Sequence, residues 1–376
     1  MTQRIVVTGG YGLFGSRLVR RLARRPDAEI VIAGRSGAAA QALADSLREA
    51  PARVRGHACD VMAPGFAAEL RALAPDVLVH TCGPFQGQSY DMARLCIAAG
   101  VHYVDLADGR QFVAGITALD AAARAAGVVV VSGASSVPAL SSAAADALTE
   151  GWARVDRIDV GISPGNRSER GLATVQAILR YTGQPIAANA AGTTGWLGAR
   201  RHDYGGVVGS RLLSPCDVPD LDLLPDRYAG RPAVAFGAGL ELVFLHRGMN
   251  LMAWCAARGL VRDWSRHARP LKRMADLFIG WGSEAGAMHV QVDGLDASGQ
   301  ARRRRWQLIA AGGDGPYVPT LAAAALVGAL ARGSAALVAG AYPCIGVLGL
   351  AAILHEAEGL RIEAGQADVA VPSDLF

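Results

Sequence analysis

Lysine is almost missing: of 37 basic residues only Lys272 is a lysine. Chemistry that needs a lysine base or Schiff base must use that residue or is excluded. The bias toward Arg, Ala and Gly is what a GC-rich genome produces. Charge is scarce as well, at 19% of residues against 51% hydrophobic. That balance excludes a disordered chain, which could not bury enough surface to offset its ordering entropy. The net charge of +4 is too small to imply nucleic acid, and no nucleic-acid partner is expected. The six cysteines (Cys59, Cys82, Cys96, Cys216, Cys255 and Cys344) are scattered, with no C-x-x-C pair, and no cluster with histidine is expected. No metal site and no disulfide framework is expected, and a reducing, cytoplasmic location fits. No signal peptide is expected before the first apolar strand. Long apolar runs are interrupted. Residues 239–261 hold Glu241, Arg247 and Arg258, and residues 333–354 are broken by Gly340, Pro343, Gly346 and Gly349. A spanning helix wants ~20 continuous apolar residues, so no membrane span is expected. Residues 239–261 read as a buried or dimer-packing helix, with a substrate wall or a peripheral membrane contact as alternatives.

What is present is alternation. Strands are expected at 4–8, 29–33, 54–59, 76–81, 102–106 and 128–131. Helices at 16–25, 38–49, 66–73, 89–99 and 116–126 separate them. This pattern means a doubly wound parallel sheet covered on both faces. After Ser132 the character changes. A helix at 138–150 leads into period-two strands at 157–162, 288–295 and 302–309, the last two joined as a hairpin by residues 296–299. Helices are expected at 174–182, 240–260, 320–331 and 345–356, and residues 200–232 read as a long loop. The fold class is α/β: a Rossmann-type parallel sheet, then an α+β domain with a mixed or antiparallel sheet. The expected division is 1–135 for the nucleotide domain, 136–318 for the substrate and dimerisation domain, and 319–376 for a helical tail packing back on the first.

The strongest motif is Thr8-Gly9-Gly10-Tyr11-Gly12-Leu13-Phe14-Gly15, a glycine turn between a strand and a helix. Its glycines allow a tight turn and close approach of backbone to a pyrophosphate, and the helix N-terminus presents N–H groups to the anion. An NAD site wants an acidic residue ~20 residues further on. Here the second strand ends in Gly34-Arg35-Ser36, and a guanidinium with a hydroxyl suits a 2′-phosphate. NADP(H) is therefore expected. Asp60, with Val61 beside it, is placed either to reach the adenine or to cap a helix. Cys82, Gly83, Pro84 and Phe85 end the fourth strand, where the nicotinamide ribose is expected.

The Tyr-x-x-x-Lys pair of short-chain dehydrogenases is absent: Tyr90 is followed four residues later by Arg94. No G-x-S-x-G elbow appears either. The remaining candidates for acid–base work are Asp105 and Asp108, after the fifth strand. The run Arg302 to Arg305 reads as a solvated strand near a sheet edge, and His246 and His289 as satisfied core histidines.

Taken together, the glycine turn, Ala33 to Ser36, Gly83-Pro84-Phe85, residues 99–106 and Ser132 to Pro138 resemble the saccharopine dehydrogenase-like oxidoreductases. The resemblance is specific over residues 1–148 and extends to residues 219–225 and 315–319. It implies an NADP-binding Rossmann domain, a second domain for substrate and homodimer formation, and a C-terminal helix returning to the first. It implies hydride transfer to or from a small or apolar substrate, at a C=N or C=C bond, in a cleft between domains. Asp105 to Gly109 replace a Ser/Thr–Tyr–Ser–Pro stretch of the saccharopine enzymes and lie closer to the enoyl reductase-like subgroup. Tyr317 is a candidate pocket residue of the second domain. The alternative is a non-catalytic NADP-binding scaffold or sensor.

Overall fold

The computed structural model describes residues 2–186, 193–335 and 337–370. The chain divides into two compact units, residues 1–140 with 316–357, and residues 141–315 with 358–376.

The first unit begins with β1 (Gln3–Thr8), α1 (Leu13–Leu22), β2 (Ala28–Gly34), α2 (Gly37–Asp45), β3 (Arg53–Ala58) and α3 (Phe66–Leu73). It continues with β4 (Val77–His80), α4 (Asp91–Ala99), β5 (His102–Asp105), α5 (Arg110–Ala114), α6 (Asp120–Ala125) and β6 (Val129–Ser132). Ile5, Val6 and Val7 are fully buried, as are Val77, Leu78 and Val79. Both faces of these strands are covered, so the strands are apolar without alternation. In α1 the buried positions Gly15, Leu18, Val19 and Leu22 lie on one helical face.

The second unit follows: α7 (Ser141–Leu148), β7 (Arg154–Ser163), α8 (Leu172–Tyr181), β8 (Arg200–Asp203), β9 (Ser210–Pro215), α9 (Asp220–Leu223) and β10 (Ala233–Ala238). Then come α10 (Val243–Ala257), α11 (Ala268–Asp276), β11 (Gly286–Leu295) and β12 (Ala301–Ala310). The chain returns to the first unit as α12 (Val318–Ala331), β13 (Gly340–Pro343) and α13 (Leu350–His355), and ends in the second as β14 (Ile362–Asp368).

The first sheet is wholly parallel, in the order β13-β6-β5-β4-β1-β2-β3. Strand β1 has β2 on one side and β4 on the other, which makes the carboxyl ends of β1 and β4 the topological switch point. Helix α12 packs on α1, and Gln3 Nε2 donates to Val327 O at 3.2 Å. The second sheet runs β14-β12-β11-β7-β10-β9-β8, with β7 and β10 parallel and the other pairs antiparallel. One face carries Met288, Val290, Val292, Trp306 and Leu308, all buried. The opposite face carries His289, Gln291, Arg305 and Gln307.

Several expectations change. The helix expected at 116–126 is divided: residues Gly115–Leu119 form a 3-10 turn and α6 covers Asp120–Ala125. The loop at 200–232 contains β8, β9 and α9. Its glycines are concentrated in the hairpin turn, where Gly205, Gly206 and Gly209 have positive φ. Strands β10, β13 and β14 and helix α11 lie where no element was expected. Residues 362–368, expected in a helical tail, pair with β12. The Arg302–Arg305 run lies near a sheet edge, beside the edge strand β14, but its side chains are paired rather than merely solvated. Arg302 pairs with Asp296, Arg303 with Asp293 and Arg304 with Asp368, while Arg305 donates to Gln291 Oε1 at 2.8 Å. His246 is buried and satisfied by Ser214 Oγ at 2.9 Å, and His289 by the Tyr204 hydroxyl at 3.0 Å.

Phe66 is fully buried against β1, β2 and β4 in the core of the first unit. Phe66→Ala is expected to destabilise that unit by about 3–5 kcal/mol. A drop in its urea denaturation midpoint checks this, with the far-UV spectrum unchanged in buffer.

Candidate functional site

The glycine turn sits at the switch point, and its backbone leaves no room for side chains. Gly9 has φ +71°, and a Cβ there would lie 2.8 Å from Cys82 Sγ. A Cβ on Gly15 would lie 2.2 Å from Gly9 O and 2.8 Å from Thr81 Oγ1. One on Gly10 would lie 2.8 Å from Val7 O. Gly12 is the exposed N-cap of α1, and no side chain caps the helix. Leu13 and Phe14, half-buried, form the first turn with no acidic residue in it. That leaves the helix N-terminus open to an anion.

Tyr11 links this turn to the end of β2. Its ring lies where a side chain on Gly34 would be, 2.5 Å from the ideal Cβ position. Its hydroxyl accepts from Ser36 N at 3.0 Å. Ser36 then caps α2, its Oγ accepting from Ala39 N at 3.2 Å. Arg35 is exposed and makes no ion pair among the described residues. A guanidinium, a hydroxyl and a helix N-terminus with no acid in its first turn thus stand together at the end of β2. Asp60 is exposed, and its Oδ1 accepts from Met62 N at 3.0 Å, so it caps a turn. Val61 packs half-buried against the core.

The loop after β4 is held by two side chains that no sequence motif marks. Gln88 Nε2 donates to Cys82 O at 2.8 Å and Pro84 O at 2.7 Å. Its Oε1 faces His80 Nε2 at 3.5 Å, and His80 Nδ1 meets Thr8 Oγ1 at 2.8 Å. With Oε1 as an acceptor, the ring proton belongs on Nε2, and Thr8 donates to Nδ1. Burial pushes the His80 pKa down to about 4, which keeps the ring neutral. Thr81 Oγ1 donates to Thr8 O at 2.8 Å. Phe85 is buried, its ring 5.5 Å from His80 and 5.4 Å from Phe112. Cys82 is half-buried and burial raises its thiol pKa, so it packs against Gly9 rather than acting as a nucleophile. Gly83 and Pro84 are half-buried and joined by a cis peptide. Nothing in the β4 sequence marks His80 beyond a histidine closing an apolar strand.

The two acids differ. Asp105 is fully buried. Its Oδ1 accepts from Gly133 N at 2.8 Å, Ser132 Oγ at 2.9 Å and Ala107 N at 3.0 Å, tying the end of β5 to the end of β6. Burial still outweighs these bonds and raises its pKa to about 6. Asp108 is half-exposed, and Gln86 Nε2 donates to its Oδ1 at 3.2 Å. Burial raises its pKa also. Gly109 packs against Phe85 and Gln86, so Asp108 stands beside the loop after β4. Tyr317 falls in the first unit, at the N-cap of α12.

One cluster departs from the expectation that no cysteine lies near histidine. His57, Cys59 and Glu69 bring their ligand atoms within 4.8 Å of one another. His57 near the end of β3 and Cys59 just past it share a side of the chain, and Glu69 arrives from α3 with its Oε2 3.4 Å from His57 Nε2. In the second unit, a cavity of about 280 Å³ is lined by Leu197, Leu213, Leu221, Val234 and Phe236, with Arg200 on its wall.

Residues 5–131 match the family model described as the saccharopine dehydrogenase NADP binding domain. No curated protein matches the chain. Among solved structures, the chain is similar to saccharopine dehydrogenase (L-Glu forming) from Saccharomyces cerevisiae. The identity is 12%, coverage is 97% of this chain and 100% of that one, and the TM-score is 0.65. It is also similar to homospermidine synthase from Legionella pneumophila, solved with NAD. Here the identity is 11%, coverage is 98% and 92%, and the TM-score is 0.59. At these identities the structures show a shared fold.

His80 and Asp105 make opposite demands on pH. The folded pKa of His80 lies below its ordinary 6.5, so its contribution to stability is complete above pH 6.5 and is lost as pH falls toward 4. The folded pKa of Asp105 lies above its ordinary 3.8, so its contribution is complete below that value and is lost as pH rises toward 6. Each is on the order of 3 kcal/mol, and they offset each other between pH 4 and 6. Relative to the unsubstituted protein, Asp105→Asn is expected to lose stability more steeply on acidification, and His80→Leu less steeply. Denaturation midpoints across this range check both slopes; parallel curves for all three proteins would contradict the assignment.

The glycine turn at the switch point and the family match over it make residues 5–131 a nicotinamide dinucleotide-binding domain, similar to the NADP binding domain of the saccharopine dehydrogenases.

Proposed function

We propose that the protein is an NADP(H)-dependent oxidoreductase, with Arg35, Ser36 and the N-terminus of α2 holding the 2′-phosphate. The observation that carries this is the end of β2. An NAD site would place a carboxylate there, whereas this chain places an unpaired guanidinium beside a helix N-terminus capped by Ser36, with no acid in its first turn. Gly9 to Gly15 would take the pyrophosphate, and Cys82 to Phe85 would border the nicotinamide ribose. Asp60 and Val61 would flank the adenine.

Bound NADPH would supply a hydride to an electron-poor carbon, at a C=N or C=C bond. The residues of the chain supply the matching proton and the geometry. Asp108, half-buried with its pKa raised by burial, is the proton donor or acceptor. Asp105 is a positioning residue: its carboxylate fixes Ala107 and the end of β6, and so fixes the segment that carries Asp108. A small or apolar substrate is supported by the cavity of the second unit, whose walls are mostly aliphatic and aromatic. Asp108, held by Gln86 beside the loop after β4, gives the cofactor site a proton-handling group, which favours the enzymatic reading over a passive scaffold.

Titration of the two cofactors by fluorescence is expected to show tighter binding of NADPH than NADH. Arg35→Ala should weaken NADPH about tenfold or more while leaving NADH nearly unchanged. Equal losses for both would remove the 2′-phosphate role.

Once a substrate is found by following NADPH absorbance, Asp108→Asn should keep NADPH affinity and lower turnover by about 10²-fold or more. Unchanged turnover would exclude Asp108 as the acid.

A further inference from the structure

The α10–α11 region of the second unit exposes an apolar face. Helix α10 buries His246, Ala253 and Ala256 and turns Val243, Arg247, Leu251, Trp254 and Arg258 outward, at helical spacing. Val243 is 60% exposed, Leu251 61% and Trp254 42%. Past the end of α11, Leu277 is 77% exposed and Trp281 58%. These two stretches adjoin, since the Phe244 ring lies 4.9 Å from Phe278 and 6.0 Å from Trp281. Trp264 Nε1 donates to Met252 O at 2.8 Å and fixes the connection between the helices. Single exposed apolar side chains are ordinary, but a joined set of this kind marks a contact surface.

The charge around it is one-sided. Residues 243–282 hold seven basic and two acidic side chains, in a chain whose net charge is only +4. Both acids are paired, Asp276 with Lys272 at 2.6 Å and Asp263 with Arg266 at 3.7 Å. Arg247, Arg258, Arg262, Arg269 and Arg273 are exposed and have no carboxylate partner among the described residues. Arg258 instead lies over the Trp254 ring, 5.1 Å from its centroid.

We propose that this face docks on an anionic lipid bilayer. Leucine, phenylalanine and tryptophan would enter the boundary between headgroups and acyl chains, and the arginines would reach lipid phosphates. Trp254 and Trp281 have the amphipathic rings favoured at that depth. No helix among the described residues is long and apolar enough to cross a membrane, so the contact lies in the interface plane. Charge selects this occupant over a second copy of the chain. A symmetric dimer through the face would set five unpaired arginines against five more, and like charges across an interface are costly.

The test is co-sedimentation of the full chain with vesicles of phosphatidylglycerol and phosphatidylcholine, against vesicles of phosphatidylcholine alone. Binding to the anionic vesicles is expected, weakening about tenfold or more when salt is raised to screen the arginines. Arg269→Glu with Arg273→Glu should weaken it to a similar degree, and Trp254→Asp should abolish it. All are surface changes, and retained NADPH binding with an unchanged far-UV spectrum shows that each variant is folded. Failure of the folded protein to bind anionic vesicles at low salt overturns the proposal. So does a concentration-dependent dimer that Trp254→Asp dissociates, because a second copy would then cover the face.

Discussion

Backbone from the β1 turn and from the end of β4 meets with no space for a side chain between them. Gly9 and Gly15 are the positions where this matters, since a Cβ on either would strike Cys82, Thr81 or the turn itself. The contact brings the N-terminus of α1 to the switch point of the sheet, and a dinucleotide site depends on that placement. The surrounding polar groups serve the same approach. Thr81 closes onto Thr8 O, Thr8 reaches His80, and Gln88 holds both sides of the Cys82–Pro84 turn. A buried, neutral imidazole suits this position because it can accept on one nitrogen and donate on the other.

The first unit was largely legible in the sequence because its strands are buried on both faces and read as continuous apolar runs between glycine stops. The glycine turn carried the cofactor assignment for a steric reason, and the end of β2 carried the 2′-phosphate argument. Strand β13 was not legible. It is four residues long, contains Gly340 and Pro343, and gains its strand character only by lying against β6. Strands β8 and β14 are edges rich in charged or small residues, with no alternating apolar pattern to mark them. Tertiary pairing overrides propensity in such segments.

The acids show the same limit at finer scale. Asp105 and Asp108 are three residues apart, and local sequence gives both the same character. Their difference comes from residues 132–133, which arrive from β6 and enclose Asp105 while leaving Asp108 half-open. Likewise the arginines at 302–305 looked solvated because their partners (Asp296, Asp293, Asp368 and Gln291) come from neighbouring strands and a turn. Near-exclusive use of arginine fits this setting. A planar guanidinium can bond carboxylate and amide oxygens through two donors at once, as Arg303 does with Asp293.

The polar face of the second sheet follows a related constraint. Gly161 lacks the Cβ that would lie 2.3 Å from His289 Cε1, which lets the His289 ring settle on the sheet. The His202 ring stacks on it at 3.7 Å, nearly parallel. Two protonated imidazoles at that distance would repel strongly in a buried setting. Burial, the neighbouring ring and the guanidiniums of Arg200 and Arg305 all push the His202 pKa down, to about 3. Asp159 sits between Arg200 at 2.6 Å and His289 at 3.5 Å, and burial holds His289 below its ordinary pKa despite that carboxylate. The fixed positive charge on this face therefore rests on arginine, and the stacked imidazoles remain neutral near pH 7. Hydrogen bonding through His289 can then join Tyr204 to the sheet without adding a buried cation.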